Sequence, residues 1–105
     1  MFEWIVLLVA GLFEIVWVQN LKLSQGFTKP FPTFFVIVFG VLSCYFLALA
    51  ERAIPLGIAY AIWSGIGSVG VLILGAYVYG ESITLAQLFF LALVIVGIIG
   101  IKLSS

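Results

Sequence analysis

The feature that most constrains this chain is the recurrence of long apolar runs. Residues 4–21, 33–50, 57–79 and 85–103 are almost free of charge, and only short polar breaks separate them. At ~1.5 Å per residue, a run of roughly 18–23 residues matches a hydrocarbon core of about 30 Å. Such runs predict four transmembrane helices, because a helix satisfies its own backbone hydrogen bonds where water is absent. Of the 105 residues, 66% are hydrophobic and 8% are charged. A soluble domain this short leaves too much of its surface in water to hide that much apolar area. The expected fold class is an all-α integral membrane protein.

The first run could be mistaken for a secretory signal. It is preceded by Glu3 rather than by lysine or arginine, and no small-residue cleavage pattern follows it, so it is expected to remain as a span. The breaks carry turn chemistry. Ser24, Gly26, Thr28, Pro30 and Pro32 mark the first, Glu51-Arg52 with Pro55 and Gly57 the second, and Gly80-Glu81-Ser82 the third, with Ser82 or Thr84 available to cap the last helix. No linker is long enough to divide the chain, so residues 1–105 are expected to form a single four-helix domain.

Several function classes are disfavoured. Net charge is zero, with four acids and four bases, which gives no electrostatic footprint for nucleic acid. Cys44 is the only cysteine and histidine is absent, which excludes a disulfide framework and Cys/His metal sites. No phosphate loop, histidine base or activated nucleophile is in view. The expectation is no metal, no cofactor and no enzyme activity. The lack of a long extramembrane domain suits a bacterial inner membrane.

Charge also bears on topology. With four spans, Lys22 and Lys29 fall on one side of the membrane and Arg52 and Lys102 on the other. Two against two gives the positive-inside rule almost nothing to act on. Dual topology is the expectation, with copies inserted in both orientations and paired antiparallel as a homodimer.

Glu14 is the residue that most needs a function. It lies about ten residues into the first span, where a charge costs about 2.5–3.5 kcal/mol on insertion scales. Lipid disfavours the charged form of a carboxyl group, and a group held this way can trade a proton for a cation. No other strongly ionisable side chain lies deep in a span, so the partner of Glu14 is expected to arrive from solution. The plain alternative is a neutral carboxyl that hydrogen-bonds another helix in a non-transporting protein.

Gly11 and Trp17 stand three residues before and after Glu14, on its helical face. Gly11 leaves space beside the acid, and Trp17 offers an indole N–H and an aromatic wall. Ser43 in the second span can bond a carboxylate on another helix or bond back to its own. Tyr60 and Trp63 share a face of the third span, near Ser64, and can present a hydroxyl and a cation–π surface. Gly65, Gly67 and Gly70 permit either a hinge or close helix packing. Gly97 and Gly100 suggest an association face on the last span, with Gly97 at a dimer interface. Gln19 and Asn20 either reach interfacial water or border a vestibule below the acid.

These residues together resemble the small multidrug resistance transporters, and the resemblance covers essentially the whole chain. It rests on four short spans, Gly11-x-x-Glu14, Pro55-x-Gly57-x-Ala59-Tyr60-Ala61-x-Trp63, Ser64-Gly65-x-Gly67 and Gly80-Glu81. The resemblance implies an antiparallel homodimer in which the Glu14 residues of both subunits form one shared site. Protons and a small cationic substrate would compete there while the dimer alternates between equivalent states. Trp17, Ser43 and the ending Gly100-Ile101-Lys102 look like the members that export guanidinium compounds. Trp63-Ser64-Gly65 is more typical of members that export quaternary ammonium and aromatic cations, and this second substrate class stays open. A planar guanidinium can meet a carboxylate through two parallel N–H bonds, whereas quaternary ammonium has no N–H to donate.

Overall fold

The computed structural model describes residues 2–104. Four helices account for most of them: α1 (Phe2–Leu23), α2 (Pro30–Ala50), α3 (Leu56–Val78) and α4 (Leu85–Ser104). Each is long and apolar enough to cross a membrane.

The helix ends follow from local chemistry. Beyond α1, Gln25, Gly26 and Phe27 all take positive φ (49°, 73° and 66°). Buried Ser24 holds this turn together. Its hydroxyl donates to the Leu21 carbonyl at 2.7 Å and accepts the Phe27 N–H at 3.2 Å. Helix α2 starts at Pro30, ahead of the start near residue 33 that the apolar run suggests. Lys29 is extended, as the residue before a proline prefers, and Pro30 opens the helix. A proline in the first turn costs no hydrogen bond, because those N–H groups have no partner within the helix. Helix α4 is capped by Thr84: the Gln87 N–H donates to its Oγ1 at 3.1 Å, and the Thr84 N–H donates to Gln87 Oε1 at 3.0 Å. This reciprocal pair satisfies two otherwise orphaned donors.

Helix α1 packs against both α2 and α3, while α4 packs mainly on α3 and reaches α1 through Lys102, whose ammonium lies 5.0 Å over the Trp4 ring. Glycine against isoleucine sets the close approaches. A Cβ added at Gly11 would lie 2.9 Å from Ile66 Cβ, one at Gly70 would lie 2.6 Å from Ile15 Cγ1, and one at Gly65 would lie 2.7 Å from Ile98 Cγ1. In lipid, where helices gain little from hydrophobic burial against each other, such small-residue contacts carry the association. A buried cluster of Val6, Leu7, Ala50, Ile54, Ala59 and Ile62 closes the end where α1 begins and α3 begins. At the opposite end Lys22 pairs with Glu81 at 2.9 Å.

Candidate functional site

Glu14 faces a lateral cleft between α1 and α3. The cleft has a volume of about 360 Å³ and is lined by Glu14, Val18, Gly67, Ser68, Val71, Leu72 and Glu81. Its deep wall is the backbone of α3 at Gly67. A Cβ built there would stand 3.0 Å from Glu14 Cγ and would collide with the carboxylate itself. Only glycine lets the acid lie against the helix at this point. Glu14 Oε1 is buried and has no hydrogen-bond partner among the described residues, and the same is true of Trp17 Nε1 and Ser64 Oγ. Buried polar atoms are nearly always paired, and an orphan costs the full desolvation of the group. Of the three, only Glu14 lines the cleft.

Ser43 takes neither of the two roles open to it from sequence. Its hydroxyl donates across to the Ala10 carbonyl of α1 at 2.7 Å, and it accepts the Trp63 indole N–H at 3.0 Å. One hydroxyl thus ties α1, α2 and α3 together. In an α-helix the Ala10 carbonyl is also the acceptor for the Glu14 N–H, so Ser43 anchors the turn that carries the acid without touching the carboxylate.

The other residues separate into two groups. Gly11, expected to leave room beside Glu14, instead receives Ile66, and the room beside the acid comes from Gly67. Trp17 packs toward α2, with its Cγ 3.9 Å from a Cβ added at Gly40. Tyr60 and Trp63 form a tilted aromatic pair with centroids 5.6 Å apart. Tyr60 is 57% exposed and does not line the Glu14 cleft. Gly65 meets α4, and Gly97 has open space around it. Asn20 bonds back to the Val16 carbonyl at 2.9 Å, whereas Gln19 donates to the Tyr79 hydroxyl at 3.3 Å.

Sequence reasoning passed over Glu81 as a site residue. Its carboxylate lines the Glu14 cleft and pairs with Lys22 at 2.9 Å. Both side chains are 54% exposed, and an ion pair of that kind contributes about 0.2–1 kcal/mol. The Gly80-Glu81 pair was visible in the chain, but nothing local said that it folds back over α3.

Four helices long and apolar enough to cross a membrane, with the carboxylates of Glu14 and Glu81 on one cleft, define a multi-pass membrane protein. The Small Multidrug Resistance protein family matches residues 2–94, and the chain belongs to that family. Among similar proteins is a Guanidinium exporter of Yersinia pseudotuberculosis serotype I (strain IP32953), 46% identical over 102 residues that cover 97% of this chain and 98% of that protein. A Guanidinium exporter of Citrobacter freundii is 48% identical over 103 residues, covering 98% of both chains. One of Proteus vulgaris is 48% identical over 103 residues, covering 98% of this chain and 99% of its own. Membership makes this a transporter-family protein of the bacterial inner membrane.

Proposed function

We propose that the protein exports small guanidinium-type cations in exchange for protons, with both competing for Glu14. The observation that carries this reading is the buried, unpartnered Glu14 oxygen on a cleft between helices. A carboxylate so held gains from a proton or from a cation, and either one excludes the other. Guanidinium suits it through two parallel N–H bonds to one carboxylate, and the similar proteins carry the name Guanidinium exporter. In the cycle, a protonated Glu14 open to the inside releases its proton to that side as the cation binds from the same side, and the loaded site then turns to face the outside. The cation then leaves when a new proton takes the oxygen.

The working unit in this reading is an antiparallel homodimer that shares two Glu14 residues. Two features support it. Lysine and arginine are balanced across the two ends, and α4 buries no residue within the chain while Gly97 and Gly100 leave its surface open. Gly11, Trp17, Ser43, Tyr60 and Trp63 would complete or orient the shared site, and Gly65 and Gly67 would allow the helix to bend. Export of quaternary ammonium and aromatic cations is the second reading, favoured by the Tyr60–Trp63 aromatic pair.

Solid-supported membrane electrophysiology on proteoliposomes separates the two. Guanidinium compounds should evoke currents, tetraalkylammonium should evoke little, and Glu14→Gln should abolish both current and proton release. Equal currents from both substrate classes would favour the second reading. Full activity in Glu14→Gln would remove both.

A further inference from the structure

Gly67, Val71 and Gly75 repeat at four-residue spacing and line one face of α3. Two such steps rise about 12 Å along the helix. The Glu14 carboxylate lies against Gly67 at one end of this stripe. The Glu81 carboxylate lies against Gly75 at the other, where an added Cβ would stand 3.2 Å from Glu81 Cδ and closer still to Oε1. The cleft that Glu14 faces reaches Glu81. A smaller cleft of about 130 Å³ continues past Glu81 to Gln19, Lys22 and Tyr79.

The backbone places Glu81 there. Tyr79 ends α3, Gly80 takes φ +66°, and the Glu81 N–H returns to the Gly75 carbonyl at 3.1 Å. A glycine in this left-handed position after a helix end reverses the chain at little steric cost. Around the carboxylate is the equipment of a cation site. Glu81 Oε2 accepts from Lys22 Nζ at 2.9 Å, and the same ammonium sits 4.5 Å above the Tyr79 ring. Gln19 donates to the Tyr79 hydroxyl and steadies the ring. An anion and an aromatic face already hold a primary ammonium here, and that ammonium is on a flexible, exposed tether.

We propose that Glu81, Tyr79 and Gln19 form an outer binding site for the guanidinium cation at the mouth of the Glu14 cleft, and that the cation takes it by displacing Lys22. Resting on the guanidinium reading above, this adds a step between solution and Glu14. A guanidinium ion carries the charge of the lysine head, stacks on an aromatic ring, and gives a carboxylate two N–H bonds where ammonium presents a point charge. When the cation moves inward along the Gly67–Gly75 face, Lys22 returns to Glu81.

Transport of guanidinium by the full-length protein in proteoliposomes tests this, read as KM and maximal rate at low and high potassium chloride. Glu81→Gln should raise KM about two- to fivefold, and Lys22→Gln, which removes the competing ammonium, should lower it by a similar factor. Both shifts should shrink at high salt, where exposed charges are screened, and maximal rates should change little. If the ion pair only braces the fold, both variants lose the same brace and KM moves in one direction. That outcome, or an unchanged KM in both, removes the outer site while a transporting wild type keeps the guanidinium reading. A wild type that moves no guanidinium removes the functional reading itself, and the outer site with it.

Discussion

Gly67 presents bare α3 backbone to the Glu14 carboxylate, so close that a methyl group on Gly67 would occupy the place of a carboxylate oxygen. The acid is therefore positioned by what the opposite helix lacks. Gly67→Ala should push the carboxylate out of its seat. Guanidinium affinity is expected to fall by on the order of 10- to 100-fold, the scale of loss that follows an ångström-sized displacement of a reacting group. Binding measured by isothermal titration in detergent checks this. If Gly67 acts only as a hinge, affinity will hold and the maximal transport rate alone will fall.

The α1–α3 contact at Ile15 and Gly70 should behave as a matched pair. Gly70→Ala places a methyl group 2.6 Å from Ile15 Cγ1, and overpacking of this kind costs about 1–3 kcal/mol. Adding Ile15→Ala in the same chain should return most of the loss. Thermal unfolding in detergent of the two single variants and the double variant measures the coupling.

Ser43 and Trp63 form a second coupled pair. Ser43→Ala leaves the Trp63 N–H without its acceptor and should destabilise the protein by about 1–2 kcal/mol. Trp63→Phe removes that donor, so the Ser43→Ala loss should be smaller in the Trp63→Phe background. Because Ser43 also holds the Ala10 carbonyl, guanidinium affinity should fall in Ser43→Ala even at temperatures where the protein stays folded.

Balanced charge predicts mixed insertion. A reporter at the C-terminus should be found on both faces of the membrane. Glu51→Lys with Ala53→Lys in the α2–α3 connection adds positive charge to one end and should drive nearly all copies into a single orientation. A wild-type reporter confined to one face would rule out dual insertion.

Much of this was legible in the chain before any folding was considered. The four spans follow from run length and hydropathy, and Glu14 announces itself as a carboxylate at lipid depth. The exceptions each have a local or a tertiary cause. The early start of α2 was hidden because prolines read as loop until they fall in a first turn. The partners of Ser43 were hidden because its hydroxyl reaches two other helices rather than its own. Glu81 read as a turn residue, and only the reversal at Gly80 carries it back over Gly75.

The amino-acid order by itself determined the solvent, the number of spans and the one acid that lipid cannot easily hold, because these depend on composition and length along a single helix. Tertiary structure alone decided what that acid faces. The rotation of α1 against α3 comes from isoleucines seated on glycines far away in the chain, and a periodicity within one helix carries no information about the register of its neighbour.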